Sequence, residues 1–374
     1  MLNIVLFFHV HRAYRLKKLS VFDIGKGIEP FDTEINRSTI ERRAEKCYIP
    51  ANTFLLQLAE RFGVKFRFSV SISGTAVELL SRFSPAVMDL FLKLAEKGCV
   101  EYIGETYYRS ISGYSKNGHS INEIYDSEEF ISQIYLHLLL LEREFGTVPS
   151  VFWCTGAFDE RIAGAVGSFK SIRVILLEEV GLLYPCQTKN GRFCLLLKNH
   201  SFSDEIARLS EGKINTQSVL AEELVDRLDS LCAGRKREED LYLNLFLDYD
   251  ILKERSFPFF ERLSHLVLNH PTMRFSWPSE AVRCHGDNLS AYSTGYSADS
   301  GGWLNDLQRN AAKTAFYLLN RVKSFGTTEL LETVRRLTSV DHFYRMDERY
   351  NDSPEEAYLS FMHVLADIEE KLSR

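Results

Sequence analysis

The side chains in this sequence that could move protons gather at the ends of short alternating runs. The clearest run is Leu241 to Asp250, LYLNLFLDYD: Leu241, Leu243, Leu245 and Leu247 share one face, and Tyr242, Asn244, Phe246, Asp248 and Asp250 the other. That period of two is the pattern of a strand. Leu2 to His11 alternates likewise and ends in His9 and His11, and Cys99 to Glu105 carries Glu101 and Glu105 on one face. In a parallel α/β barrel the apolar outer face of each strand packs on helices, and polar residues at the C-terminal strand ends build the site. Carboxylates from different strands around one lumen suit cleavage of glycosidic bonds, in which one carboxyl gives a proton and a second acts as nucleophile or base. Tyr107, Tyr108, Trp153 and Trp303 add aromatic faces on which a sugar ring can rest, although rings of this size also build cores. For Asp248 and Asp250 the plain alternative is that they open a loop, a common place for Asp.

His9-Val-His11 allows a rival chemistry. Alternate spacing puts both imidazoles on one strand face, as at the start of a metal-dependent hydrolase barrel. Asp248 could supply an acid to such a site, but the convenient later histidine, His200, falls in a loop-like stretch.

Strands and helices must position these groups. Lys65 to Ser73 alternates, with Phe66, Phe68, Val70 and Ile72 opposite Arg67, Ser69, Ser71 and Ser73. Short strands are also expected at Val151 to Cys154, Arg173 to Leu177 and Leu195 to Asn199. Helices are expected through Leu55 to Phe62, from the pair Ser84-Pro85 (Ser as cap) to Lys97, over 127–145, and over 217–232. The strand–helix alternation persists to about residue 280, which reads as a parallel sheet or barrel. Beyond it the pattern is helical only, over 303–325, 328–338 and 354–372. We therefore expect a barrel domain over 1–285 and a helical region over 286–374 packed on it.

The 374 residues suffice for a large core, and the formal charge of −6 lacks the basic footprint of a nucleic-acid binder. Seven cysteines without a CxxC pair suit a reducing compartment. The apolar run Leu2 to Phe8 is too short for a membrane span and lacks the flanks of a signal peptide. A cytoplasmic protein, with no membrane association and no cofactor, is expected.

Several longer segments resemble glycoside hydrolase family 57, in its α-amylase-like group. They are Phe8-His-Val-His-Arg-Ala-Tyr-Arg-Leu16, Cys47-Tyr-Ile-Pro-Ala-Asn52, Ser71-Ile-Ser-Gly-Thr75, Gly98-Cys-Val-Glu-Tyr-Ile-Gly-Glu-Thr-Tyr-Tyr108, Leu195-Leu-Leu-Lys-Asn199, Ser203-Asp-Glu-Ile-Ala207, Asn244-Leu-Phe-Leu-Asp-Tyr249 and Pro278-Ser-Glu280. They span nearly the whole chain in order. The resemblance implies an incomplete (β/α)7 barrel followed by helices, an α-glucan substrate class, and an acid/base carboxyl at Asp248. It implies sugar contacts at His11, Glu105, Tyr107, Trp153, Asp250, Asp299 and Trp303.

The departures are specific. The family's His-Gln-Pro segment falls on His11-Arg12-Ala13, and the His after the Tyr107 segment is Arg109. The family's nucleophile, a glutamate after strand four, falls on Gly156 in Cys154-Thr-Gly-Ala157. A glycine cannot form a glycosyl ester. Asp159 and Glu160 follow closely, but they also read as the acidic start of a helix. The expectation is an α-glucan-binding homologue without retaining hydrolase activity. The alternatives are an active carbohydrate hydrolase or transferase, with inversion as one route, using Asp248 with a relocated carboxylate, and a metal-dependent hydrolase using His9 and His11.

Overall fold

A computed structural model describes residues 1–113, 126–156, 158–178, 183, 185–188, 190–208, 217–232, 240–284 and 304–373. The alternating runs fold as strands. β1 (Leu2–Val10) is buried throughout and lies between β2 (Phe68–Ile72) and β8 (Leu241–Asp248), parallel to both. β3 (Val100–Tyr102) extends this sheet beyond β2, and β9 (Met273–Phe275) pairs with the start of β1. A second sheet runs β4 (Val151–Cys154), β5 (Val174–Leu177) and β7 (Cys194–Leu197), all parallel, with the short antiparallel β6 (Cys186–Gln187) at its edge.

The sheets join at two places. Gly104 bridges to Phe152, with Trp153 N donating to Gly104 O at 2.7 Å and Gly104 N donating to Val151 O at 3.0 Å. A Cβ on Gly104 would stand 3.1 Å from Leu138 Cδ2, so the close approach of β3 to β4 suits a residue with no side chain. On the other side Asn199 N donates to Asn244 O, and Asn244 Nδ2 to Leu197 O, both at 2.9 Å. Among the described residues seven parallel strands, β9 aside, thus follow one another, with these two bonds in place of a ladder between β7 and β8. This is the mixed α/β, barrel-type architecture expected from the sequence.

The faces sort as the alternation predicts. Leu241, Leu243, Leu245 and Leu247 join Phe66, Phe68, Val70 and Ile72 in an outer core beneath the helices. Val5, Phe7, Trp153, Leu176, Leu196, Tyr242 and Phe246 fill the space between the sheets. The helices over that outer core include α1 (Thr33–Arg43), α2 (Ile49–Phe62), α3 (Gly74–Phe83), α4 (Pro85–Glu96), α5 (Ser127–Phe145), α8 (Gln217–Cys232) and α9 (Phe257–Asn269). A π turn at Ala44–Tyr48 makes α1 continuous with α2. Helix α6 (Glu160–Val166) follows β4, and α7 (His200–Ala207) follows β7. Ser84 does not cap α4 with its side chain. It is wedged between the end of α3 and Pro85, and a residue before proline is barred from much of its usual backbone range.

Beyond residue 304 come α10 (Asp306–Phe325), α11 (Thr328–Leu337), the short α12 (Val340–Tyr344) and α13 (Pro354–Ser373). Their shared core includes Leu19, Phe31 and Ile111 from the N-terminal part of the chain. Glu129 on α5, 0% exposed, takes the Arg335 guanidinium at 2.8 and 3.0 Å and faces Lys323 at 3.3 Å. No helix among the described residues is long and apolar enough to cross a membrane.

Candidate functional site

Strand register brings the polar ends of β1, β2, β3 and β8 together. His9 pairs with Ser71 of β2 on one side and Asp248 of β8 on the other. Glu105 follows β3 and is fully buried; Ser71 Oγ donates to its Oε1 at 2.6 Å, and His9 Nε2 lies 3.3 Å from the same oxygen. Glu105 N donates to His137 Nδ1 at 3.1 Å, which leaves His137 Nε2 to donate to Ile72 O at 2.8 Å. Burial raises the Glu105 carboxyl above its ordinary value, against the pull of His137, Ser71, His11 and Arg109. Burial also lowers His9, His11 and His137, and brings His11 down to about 3, so all three rings are neutral near pH 7.

His11 is fixed at both nitrogens: Nδ1 lies 2.7 Å from Ser73 Oγ, the cap of α3, and Nε2 lies 3.2 Å from Ser339 Oγ. Its ring stacks parallel to His9 at 5.8 Å, and Trp153 meets His9 edge-on at 4.2 Å. Trp153 is 3% exposed and belongs to the packed interior, so it offers no open face.

The other expected residues part ways. Asp248 is exposed at the end of β8 and accepts from Asp250 N at 3.1 Å. Asp250 is clamped: Arg12 Nη2 reaches both its oxygens at 2.7 Å, and Arg43 adds a further contact. Tyr107 turns away, donating to Glu78 Oε1 at 2.8 Å with its ring against Gly74. Glu101 lies four residues before Glu105, about 13 Å down the strand, where it accepts from Ser279 N at 3.2 Å; burial raises it to about 7. Gly156 follows β4 half-buried, its carbonyl accepting from Cys154 Sγ at 3.5 Å. Asp159 caps α6 through the backbone N–H groups of Arg161 and Ile162 and pairs with the Arg161 guanidinium at 2.8 Å. Asp299 and Trp303 lie outside the described residues.

Among the described residues no group of three His, Cys, Asp or Glu side chains could hold a metal ion. His200 begins α7, where its Nε2 donates to Glu178 O at 2.9 Å.

Two groups at this end of the strands escape a reading of the sequence. Asp341, on α12, lies 3.6 Å from His11 Nε2. Burial alone would raise its carboxyl, but His11, Arg109, His342 and Arg15 outweigh that and lower it to about 2. Backbone bonds from Val340 N to Arg109 O and from Ile111 N to Thr338 O, at 3.0 and 3.1 Å, carry α12 to this position. Arg109, with a φ of 49° unusual for a residue with a side chain, sets its guanidinium 5.6 Å from the Trp153 ring centre. Glu178 is an exposed carboxylate directly after β5. The strand-end rule applied to Val174–Leu177 would have found it, whereas a five-residue helix such as α12 has no periodicity to read.

The strand ends of this parallel α/β, barrel-type fold gather buried imidazoles, a buried carboxyl and an exposed aspartate at the C-terminal end, where folds of this class build their sites. The sequence pattern of glycosyl hydrolase family 57 matches residues 5–292, and the chain belongs to that family. It is 26% identical to a Methanocaldococcus jannaschii protein with a provisional alpha-amylase name, covering 97% of this chain and 83% of that one. Its fold is similar to the GH57-type branching enzyme of Pyrococcus horikoshii, with a TM-score of 0.68 and 13% identity over 96% of this chain and 88% of that one. It is also similar to the alpha-amylase AmyC of Thermotoga maritima, with a TM-score of 0.68 and 11% identity over 99% and 93% of the two chains.

Proposed function

We propose that this chain binds α-glucan oligosaccharides at the barrel mouth and does not hydrolyse them by the retaining route. The observation that carries this reading is the end of β4. There the chain offers Cys154, Thr155 and Gly156, and the next acid, Asp159, is engaged at the start of α6. Double displacement needs two carboxyls roughly 5–5.5 Å apart, one of them forming a bond to the sugar. Asp248 supplies an exposed proton donor or acceptor, Glu105 is sealed beneath His9, and Asp250 is neutralised by Arg12 and Arg43. His11 is buried with both ring nitrogens engaged and so has no free atom for a sugar, whereas the half-buried Asp341 beside it can accept from a sugar hydroxyl.

The test is titration of the purified protein with maltoheptaose, alongside an assay for reducing ends. Saturable binding without turnover is expected, and Asp248→Asn is expected to alter binding only modestly. Gly156→Glu is expected to create slow hydrolysis that Asp248→Asn then abolishes. Turnover by the unaltered protein would overturn the reading. One observation favours a second reading. Glu178, exposed after β5, is a carboxylate that could serve as the base of an inverting enzyme, for which the two carboxyls stand roughly 6.5–9.5 Å apart. Turnover abolished by Glu178→Gln would establish that alternative.

A further inference from the structure

We propose that the cleft between the segment after β1 and helices α12 and α13 binds a phosphate monoester through Arg15, Arg345 and Lys17. The cleft has a volume of about 650 Å³ and is lined by these three residues together with His342, Asn351 and Ser360, among others. That volume lies within the usual range for small-molecule sites.

The lining balances four basic side chains, Arg15, Lys17, Lys18 and Arg345, with four acids, Asp32, Asp341, Asp352 and Glu356, but the pairing between them is uneven. The strongest charge acting on the Arg15 guanidinium is another guanidinium, Arg345, with Arg12 and Arg43 also near. Burial and these like charges lower Arg15 from its ordinary value, and Asp341 opposes them only in part. Among the described residues no carboxylate lies within ion-pairing distance of Arg15 or Arg345. Arg12 and Arg43, by contrast, share Asp250. The acids that line the cleft are mostly engaged. Asp32 caps α1 through Ile35 N at 2.8 Å and Glu356 holds Lys18 at 2.7 Å, whereas Asp341, beside the neutral His11, keeps its charge and offsets the repulsion at Arg15 in part. Asp352 is exposed. His342 is buried, and its Nε2 has no hydrogen-bond partner. The half-buried Arg15 and the exposed Arg345 guanidinia repel each other, and an anion between them removes that cost.

The backbone holds the arginines ready. Arg15 N donates to Asn36 Oδ1 at 2.9 Å, and Asp32 N donates to Arg15 O at 2.8 Å. Arg345 ends α12, and its carbonyl accepts from Asn351 Nδ2 at 2.7 Å. A phosphoryl group carries close to two negative charges and three acceptor oxygens, which two guanidinium forks and an ammonium can meet together. A carboxylate has one charge and fills one fork. The remaining volume suits a sugar-sized body, so glucose 6-phosphate is an apt probe.

The experiment is calorimetric titration of the full chain with glucose 6-phosphate, inorganic phosphate, glucuronate and glucose. Saturable binding of glucose 6-phosphate is expected, weakened about tenfold or more by Arg15→Gln or Arg345→Gln and partly kept by Arg15→Lys. Circular dichroism and urea midpoints establish that each variant is folded. No saturable binding of either phosphate compound up to about 10 mM, or binding unchanged in both Gln variants, would overturn the proposal. So would glucuronate binding as tightly as glucose 6-phosphate. Maltoheptaose titrated in parallel separates this outcome from the glucan reading, because either ligand can fail while the other binds.

Discussion

Asp250→Asn distinguishes a sugar contact from a structural clamp. In the native chain Asp250 accepts two bonds from Arg12 at 2.7 Å and a further contact from Arg43, with Asp250 and Arg12 each 19% exposed. Asparagine keeps the shape but removes the charge and one acceptor. Breaking a fully buried pair costs about 3–5 kcal/mol, and an exposed one less than about 1. This triad is largely buried but still touched by water, so a loss of about 2–3 kcal/mol is expected. Arg15 lies near Arg12 and Arg43, so the loss also leaves three guanidinia facing one another without Asp250. Urea unfolding measures the cost, and maltoheptaose titration of the folded variant measures any effect on sugar. The expected result is lower stability with affinity changed less than about threefold. Stability within about 0.5 kcal/mol of the parent, with affinity lowered about tenfold, would refute the clamp and return Asp250 to the sugar-contacting residues.

Glu129→Gln should cost about 3–5 kcal/mol in urea unfolding, because it strands Arg335 against a fully buried position, while Lys323 keeps Asp126 at 2.6 Å. Replacing Glu129 and Arg335 together with Leu and Met should cost less than the single change; an equal or greater loss would contradict this. Stability should rise between pH 5 and 7: the folded values of His9, His11, His137 and His342 are all below the unfolded 6.5, so the unfolded chain takes up protons first as pH falls. Glu101, raised from 4.5 to about 7, and Glu105, also raised, act in the opposite sense over that window. Glu101→Gln should therefore steepen the rise, and a flatter profile in urea melts at stepped pH would count against the assignment. Gly74→Ala should displace the Tyr107 ring and cost about 1–3 kcal/mol in thermal or urea unfolding, since a Cβ there runs into that ring.

Much of the barrel is legible because strand alternation reports directly on which face is buried. The four leucines of β8 face helices, and Tyr242 and Phe246 fill the interior. The same rule places His9, Glu105 and Asp248 at one end. It does not show what else reaches them. Trp153 and Tyr107 read alike as aromatic platforms, yet one is packed against His9 and the other hydrogen-bonds Glu78. Asp250 reads as a second free acid because its cations, Arg12 and Arg43, lie 238 and 207 positions away along the chain. Helix α1 is not legible in the sequence because TEINRSTIERR has only two apolar residues, Ile35 and Ile40, and is defined instead by its Asp32 cap and its continuation into α2.

The contact of His11 with Ser339 and Asp341 couples the opening strand to helices more than 300 positions downstream. During synthesis the barrel strands emerge first, but the pocket that they frame lacks one wall until α12 has left the ribosome and docked. Removing the segment beyond residue 304 would therefore uncover His11 and take away Asp341 even if every strand still folded. The surroundings of His11 are thus completed by the C-terminal helices and not by the sheet alone.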